Sequence, residues 1–157
     1  RDAGFETKQI QSVLDDQPKV FADLPARLDA VRSFAALTEA GSLSAANKRV
    51  SNILDKSYEQ GVEHPANVDP NLFVESAERD LFTALANSQP MLDVAYSKQD
   101  FQQYLGLVAT LKAPVDEFFD KVMVMAEDKA VRNNRLALLR DLRDAMNKVA
   151  DLSRLAN

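Results

Sequence analysis

Apolar residues recur at intervals of three and four along nearly the whole chain, and no window keeps the strict alternation of a half-buried strand. The pattern predicts an all-α protein, a helical bundle of about seven helices. The first spans 6–16, with Ile10, Val13 and Leu14 on one face and Pro18 closing it. The second spans 23–39, with Pro25 in its first turn and Leu28, Val31, Arg32 and Ala35 at helical spacing. Gly41 is placed to end it in a left-handed conformation. Ser42 or Ser44 caps a third helix that reaches Tyr58, and the longest loop follows at 61–69. Pro70 opens a fourth over 71–87, and Pro90 marks a break before 91–96. Ser97 caps a helix over 98–112, and Pro114 opens the next through Val115, Phe118, Phe119 and Val122. The last and longest runs from 129 to 155 on rows of Leu136, Leu139, Leu142, Met146, Val149 and Leu152. Short connections favour antiparallel neighbours.

The 157 residues, 46% hydrophobic and 27% charged, suit a single globular domain over 1–157. Only 4 Gly and 6 Pro interrupt it. The absence of Cys excludes disulfides, thiolate metal sites and a cysteine nucleophile, and it fits a reducing, cytoplasmic setting. The single His64 falls in the 61–69 loop and reads as a solvated residue; one His without Cys does not build a typical zinc site. No apolar run approaches the ~20 residues that cross a bilayer, so no membrane partner is expected. The first eight residues lack the apolar core of a signal peptide. The chain starts at Arg1 rather than Met, and its opening reads like the middle of a longer sequence.

No catalytic pattern stands out. The glycines are isolated rather than gathered in a phosphate loop, and no serine sits in a nucleophile elbow. Glu117, Asp120, Glu127 and Asp128 read as a solvated acidic face rather than a Mg²⁺ site. The expectation is a chain with no catalytic residue, no metal and no cofactor of its own.

Net charge is −5, which argues against nucleic acid until the distribution is considered. Two segments are basic. On the third predicted helix, Lys48, Asn52 and Lys56 are spaced by four, with Arg49 three before Asn52, while Val50, Ile53 and Leu54 point toward a core. Amides thus alternate with cations on one face, a set of donors suited to phosphates and base edges. The same spacing also describes an ordinary solvated face. In the second segment, Lys129, Arg132, Arg135, Arg140, Arg143 and Lys148 face only Asp141 and Asp144, a local excess of four positive charges. Arg132 and Arg135 lie at the helix start, where backbone N–H groups favour an anion. A solvated face and an Arg140–Asp144 pair are the plainer reading. Phe118 and Phe119 suit a core, though one of an adjacent pair is free to stack on a base. The methionines of Val122-Met-Val-Met125 suit packing between helices, with their place beside a loop leaving room for one to be exposed.

The order of these residues carries a resemblance. Ala46-Asn-Lys-Arg-Val-Ser-Asn-Ile-Leu54, Pro114-Val-Asp-Glu-Phe-Phe-Asp-Lys-Val-Met-Val-Met125 and Val131-Arg-Asn-Asn-Arg-Leu-Ala-Leu-Leu139 resemble three segments near the C-terminus of bacterial glycyl-tRNA synthetase beta subunits. Asp128-Lys-Ala-Val-Arg132 is loosely similar to the Asp-Ala-Leu-Arg signature of the DALR-type anticodon-binding domain. The match runs from about 29 to 152 and is weakest over 1–23. The resemblance implies a C-terminal piece of a longer beta subunit that grips the tRNA for glycine, while adenylate chemistry with ATP belongs to a partner alpha subunit. It implies recognition of the anticodon loop, whose glycine tRNAs share cytosines at the second and third positions. Asn47, Lys48, Arg49 and Asn52, with Arg132 and Arg135, are the expected RNA-binding residues, converging on one groove. The alternatives are the related domain of an arginyl-tRNA synthetase and a helical protein-interaction module that binds no RNA.

Overall fold

Within residues 24–155, which the computed structural model describes, most of the stretches whose apolar rows predict helix are helical. Six α-helices are found among the described residues: α1 (Leu24–Ala35), α2 (Ala40–Glu59), α3 (Ser76–Ser97), α4 (Phe101–Ala109), α5 (Lys112–Lys121) and α6 (Lys129–Met146). Two 3-10 turns, Pro70–Leu72 and Leu152–Leu155, accompany them, and no described residue is in a strand. The expected count of about seven is not matched, and the helix predicted at 6–16 lies outside the described residues.

The core forms where these helices meet. α1 packs on α4, α2 on α6 and on the last 3-10 turn, and α3 on both α4 and α5. Leu136, Ala137, Leu138 and Leu139 are all buried, so this part of α6 is enclosed on every side. Polar anchors complete the packing. The Tyr104 hydroxyl donates to the Ala145 carbonyl at 2.6 Å. Arg27, buried in α1, donates to the carbonyls of Lys148 (3.2 Å) and Val149 (2.7 Å) and to the Tyr96 hydroxyl. Its guanidinium also lies over the Phe101 ring. A cation here meets the negative end of α6 and satisfies carbonyls beyond its last turn.

Several predicted boundaries are corrected. Pro90 lies inside α3 rather than breaking it. A proline forfeits one helical N–H, but Leu92 and Ala95 beyond it are buried, and their packing carries the helix on. Pro70 opens a 3-10 turn, with the Asp69 carboxylate accepting from Asn71 N; α3 starts later, on a capping box between Glu75 and Glu78. Gly41 is in the first turn of α2, not at the end of α1, which stops at Ala35. Ser42 and Ser44 follow it inside α2 and cap nothing; the Ser42 hydroxyl donates to Asp116 on α5 at 2.8 Å. Ser97 is the last residue of α3, and the cap of α4 is Asp100, which accepts from Gln103 N. Gln99 makes the intervening turn at φ +57°. α5 begins at Lys112, with Pro114 in its first turn. α6 stops at Met146 rather than running to 155, although Val149 and Leu152 beyond it are still buried.

Candidate nucleic-acid interface

α2 runs antiparallel to α6, so its early residues meet the late residues of α6. Asn47 and Asn147 form a reciprocal amide pair: Asn47 Nδ2 donates to Asn147 Oδ1, and Asn147 Nδ2 donates back to Asn47 Oδ1 at 3.2 Å. Asn147 Oδ1 also accepts from Leu152 N at 3.0 Å, which folds the chain after α6 back toward α2. Two turns along, Arg143 and Asp55 are 3.5 Å apart. Between these crossings lies a groove of about 590 Å³. Lys48, Ser51 and Asn52 form one wall, and Arg143, Ser153 and Arg154 are on the other. Lys48 and Asn52 are exposed. Asp55 and Asp151 temper the positive charge; Asp151 is engaged by Ser153 Oγ and stands 3.8 Å from Arg154.

The structure sorts the expected residues into three groups. Lys48, Asn52 and Arg49 are on the surface, with the Arg49 guanidinium 4.6 Å over the Phe119 ring of α5. Phe118 beside it is fully buried. Asn47 shares the segment but not the exposure: it is buried under the groove, and its amide is committed to Asn147. Arg135 is buried as well. Its Nε donates to Glu78 Oε1 at 3.0 Å, Nη2 to Glu78 Oε2 at 3.2 Å and Nη1 to the Met123 carbonyl at 2.6 Å. Arg132, half-buried, contacts Asn133 Oδ1 at 3.4 Å. It precedes Arg143 by three turns of α6, roughly 16 Å along the axis. The groove therefore brings the α2 residues together with Arg143 and Arg154, not with Arg132 and Arg135.

The start of α6 is occupied too. The Asp128 carboxylate accepts from Val131 N at 3.1 Å, filling a place that sequence offers to an external anion. Asn134 is buried and brackets the backbone of Asp69, accepting from its N–H at 2.7 Å and donating to its carbonyl at 3.0 Å. Arg140 donates to the carbonyls of Pro65 and Ala66 and pairs with Asp141 rather than Asp144. The 61–69 loop is thus tied to α6 from several points.

His64 is not the solvated residue expected. Its ring stacks on Tyr58 with centroids 4.2 Å apart, and Nε2 is 2.8 Å from Ser57 Oγ. The Ser57 hydroxyl gives its proton to the Leu54 carbonyl, so Nε2–H is the donor and Nδ1 is left buried without a partner. Burial, and then the nearby Arg140 and Arg143, hold the His64 pKa below its ordinary value.

Val122 and Val124 turn inward while Met123 and Met125 turn out, 73% and 45% exposed. In this irregular stretch, which leaves α5 extended at Val122 and bends at Val124 and Met125, the β-branched residues go to the core and both thioethers to the surface. Ser153 and Arg154 do not emerge as groove residues from sequence, because helical periodicity continues the last helix through them.

A helical bundle whose surface groove is edged with cations and amides is the kind of scaffold that holds nucleic acid by phosphates and bases together. The model of the DALR anticodon binding domain matches residues 43–153, a span that includes every groove residue named above except Arg154, one position beyond its end. The chain belongs to that family of anticodon-binding domains. It is 52% identical to the glycine–tRNA ligase beta subunit of Methylobacillus flagellatus, and 51% identical to those of Leptothrix cholodnii and Thiobacillus denitrificans. Each likeness covers 99% of this chain but 22% of the relative.

Proposed function

We propose that this chain is the anticodon-reading part of a glycine–tRNA ligase beta subunit, and that the α2–α6 groove receives the anticodon loop. The placement of Lys48 and Asn52 opposite Arg143, inside the span that matches an anticodon-binding domain, carries this reading, and Arg154 one residue beyond that span adds a further cation. Lys48, Arg143 and Arg154 meet loop phosphates. The Asn52 amide, which offers a donor and an acceptor together, meets a base edge such as that of cytosine. Arg49 braces the outer edge of α2 through Phe119. Asn47 acts from below by holding the Asn147 amide, Arg135 by holding Glu78 and the Met123 carbonyl, and Arg132 reaches only a phosphate beyond the loop.

In this reading the parent enzyme joins glycine to its tRNA with ATP in the cytoplasm, together with an alpha subunit. The present chain contributes grip and selectivity and needs no cofactor for that. Lys48→Ala and Asn52→Ala test it in binding titrations with a glycine-tRNA anticodon stem-loop. Lys48→Ala should weaken binding and flatten its salt dependence by about 0.7 in logarithmic slope, as removal of one cation from a single-strand phosphate requires. Asn52→Ala should weaken binding and leave the slope in place. Unchanged affinity in both would rule out the groove as the RNA site and favour a helical protein-interaction module.

A further inference from the structure

A second, smaller cleft opens on the other side of α2. Ile53, Lys56, Ser57 and Gln60 line it from the helix, and Met125 closes it from the stretch after α5. Its volume is about 310 Å³. The floor is apolar: Ile53 is half-buried and Met125 is 45% exposed. The rim carries the exposed Lys56 ammonium and the exposed Gln60 amide. No carboxylate lines this cleft, whereas three others on the described surface have Asp141 and Asp144, Asp55 and Asp151, or Glu63 and Asp69 in their walls. One helical turn before Ile53, Arg49 adds a second cation beside Phe119.

This combination suits one kind of occupant. A flat, apolar ring attached to a negative backbone needs a dry face, an amide at its edge and a cation for its phosphate, with no carboxylate close by. We infer that the Ile53–Met125 cleft takes an unstacked nucleobase from the same RNA loop, with Met125 and Ile53 against its faces, Gln60 at its edge and Lys56 on the adjoining phosphate. This rests on the reading of the groove as an anticodon-loop site and adds a second subsite to it. The loop would then straddle α2, with a stretch of its backbone on the Lys48 side and one splayed base with its phosphate on the Met125 side. A thioether is suited to the task because it is polarisable and adapts to a ring's shape. The outward turn of Met125 is held from below by the burial of Val122 and Val124 and by the bond from Arg135 to the Met123 carbonyl.

The test uses the full-length protein and a glycine-tRNA anticodon stem-loop carrying 2-aminopurine at each loop position in turn. Met125→Ala should weaken binding about five- to tenfold, the low end of what an aromatic stacking surface gives one base. The logarithmic salt slope should stay as in the parent protein, unlike that of Lys48→Ala. The fluorescence of one labelled position, raised in the parent complex because the base leaves the stack, should fall in Met125→Ala. RNA should also protect Met125 from oxidation by hydrogen peroxide. If Met125→Ala binds like the parent and no labelled position changes while Lys48→Ala is impaired, the base subsite is wrong and the groove reading stands. Protection of Met125 without RNA would assign the cleft to another protein segment and overturn the proposal. Absence of stem-loop binding by the parent protein would overturn both.

Discussion

Glu78 and Arg135, 57 residues apart in sequence, face each other in a two-point bridge whose side chains are 0% and 6% exposed. The same carboxylate accepts from the N–H groups of Val74 and Glu75, and the same guanidinium donates to Met123. One buried pair therefore joins the start of α3, the start of α6 and the stretch after α5. Removing one partner leaves the other charge buried and alone. Arg135→Met should destabilise the protein by about 3–5 kcal/mol in urea unfolding. Joint replacement of Arg135 and Glu78 by apolar residues should cost less than the sum of the single changes. Additive losses would show that the two do not act as a unit.

Burial opposes ionisation of Glu78, but the bond from Arg135 and those from the Glu75 and Val74 amides outweigh it and hold its pKa below the ordinary 4.5. The unfolded chain then binds a proton at Glu78 more readily than the folded one. The stabilisation is complete above the unfolded value near 4.5 and is lost as pH falls below it through the folded value. Unfolding free energy measured from pH 6 to pH 3 should fall in that window, and Glu78→Gln should remove part of the slope. An identical slope in the variant would locate the acid sensitivity elsewhere.

His64 predicts a second, milder pH effect. With its pKa below 6.5 in the folded protein, the stability it confers is present above 6.5 and declines as pH falls beneath that value. Protonation would place a charge on the buried Nδ1, facing Arg140 and Arg143. Amide exchange in residues 61–69, corrected for its intrinsic pH dependence, should gain less protection from the fold at pH 5.5 than at pH 7.5. His64→Gln should abolish that difference.

Asn47 is predicted to matter without touching RNA. Asn47→Ala leaves the Asn147 amide short of partners, at a cost of about 1–3 kcal/mol. Because Asn147 also holds Leu152 N, the wall carrying Ser153 and Arg154 should loosen. Stem-loop affinity should drop while the salt slope changes little; a slope altered as much as in Lys48→Ala would make Asn47 a direct RNA ligand.

The helical class and most of the core are readable in the sequence because burial follows the spacing of Leu, Val and Phe, and periodicity reports that directly. Boundaries are less readable where a local signal competes with packing. Pro90 advertises a break that the burial of Leu92 and Ala95 overrides, and Glu75 caps α3 although glutamate is not a favoured cap. At the groove, spacing correctly puts Lys48 and Asn52 on one exposed face. It has no means of separating Arg135 from Arg143, since both are arginines on the same helix. What separates them is Glu78, a partner supplied by a distant helix. Asn47 illustrates the same limit, because its amide is claimed by Asn147 across the fold. Arg154 is hidden by the end of α6 at Met146, where the chain turns back under the pull of Asn147.

Reading of the glycine-tRNA anticodon loop by this domain stands or falls on base selectivity. The protein is titrated with a glycine-tRNA anticodon stem-loop and with the same stem-loop carrying other bases in place of the two anticodon cytosines, at two salt concentrations. Binding to the first should be salt-sensitive, and binding to the second at least tenfold weaker, since each base read at its edge is worth about 1–3 kcal/mol and two are replaced. Equal affinity for the two loops would contradict anticodon reading and reduce the groove to an electrostatic grip.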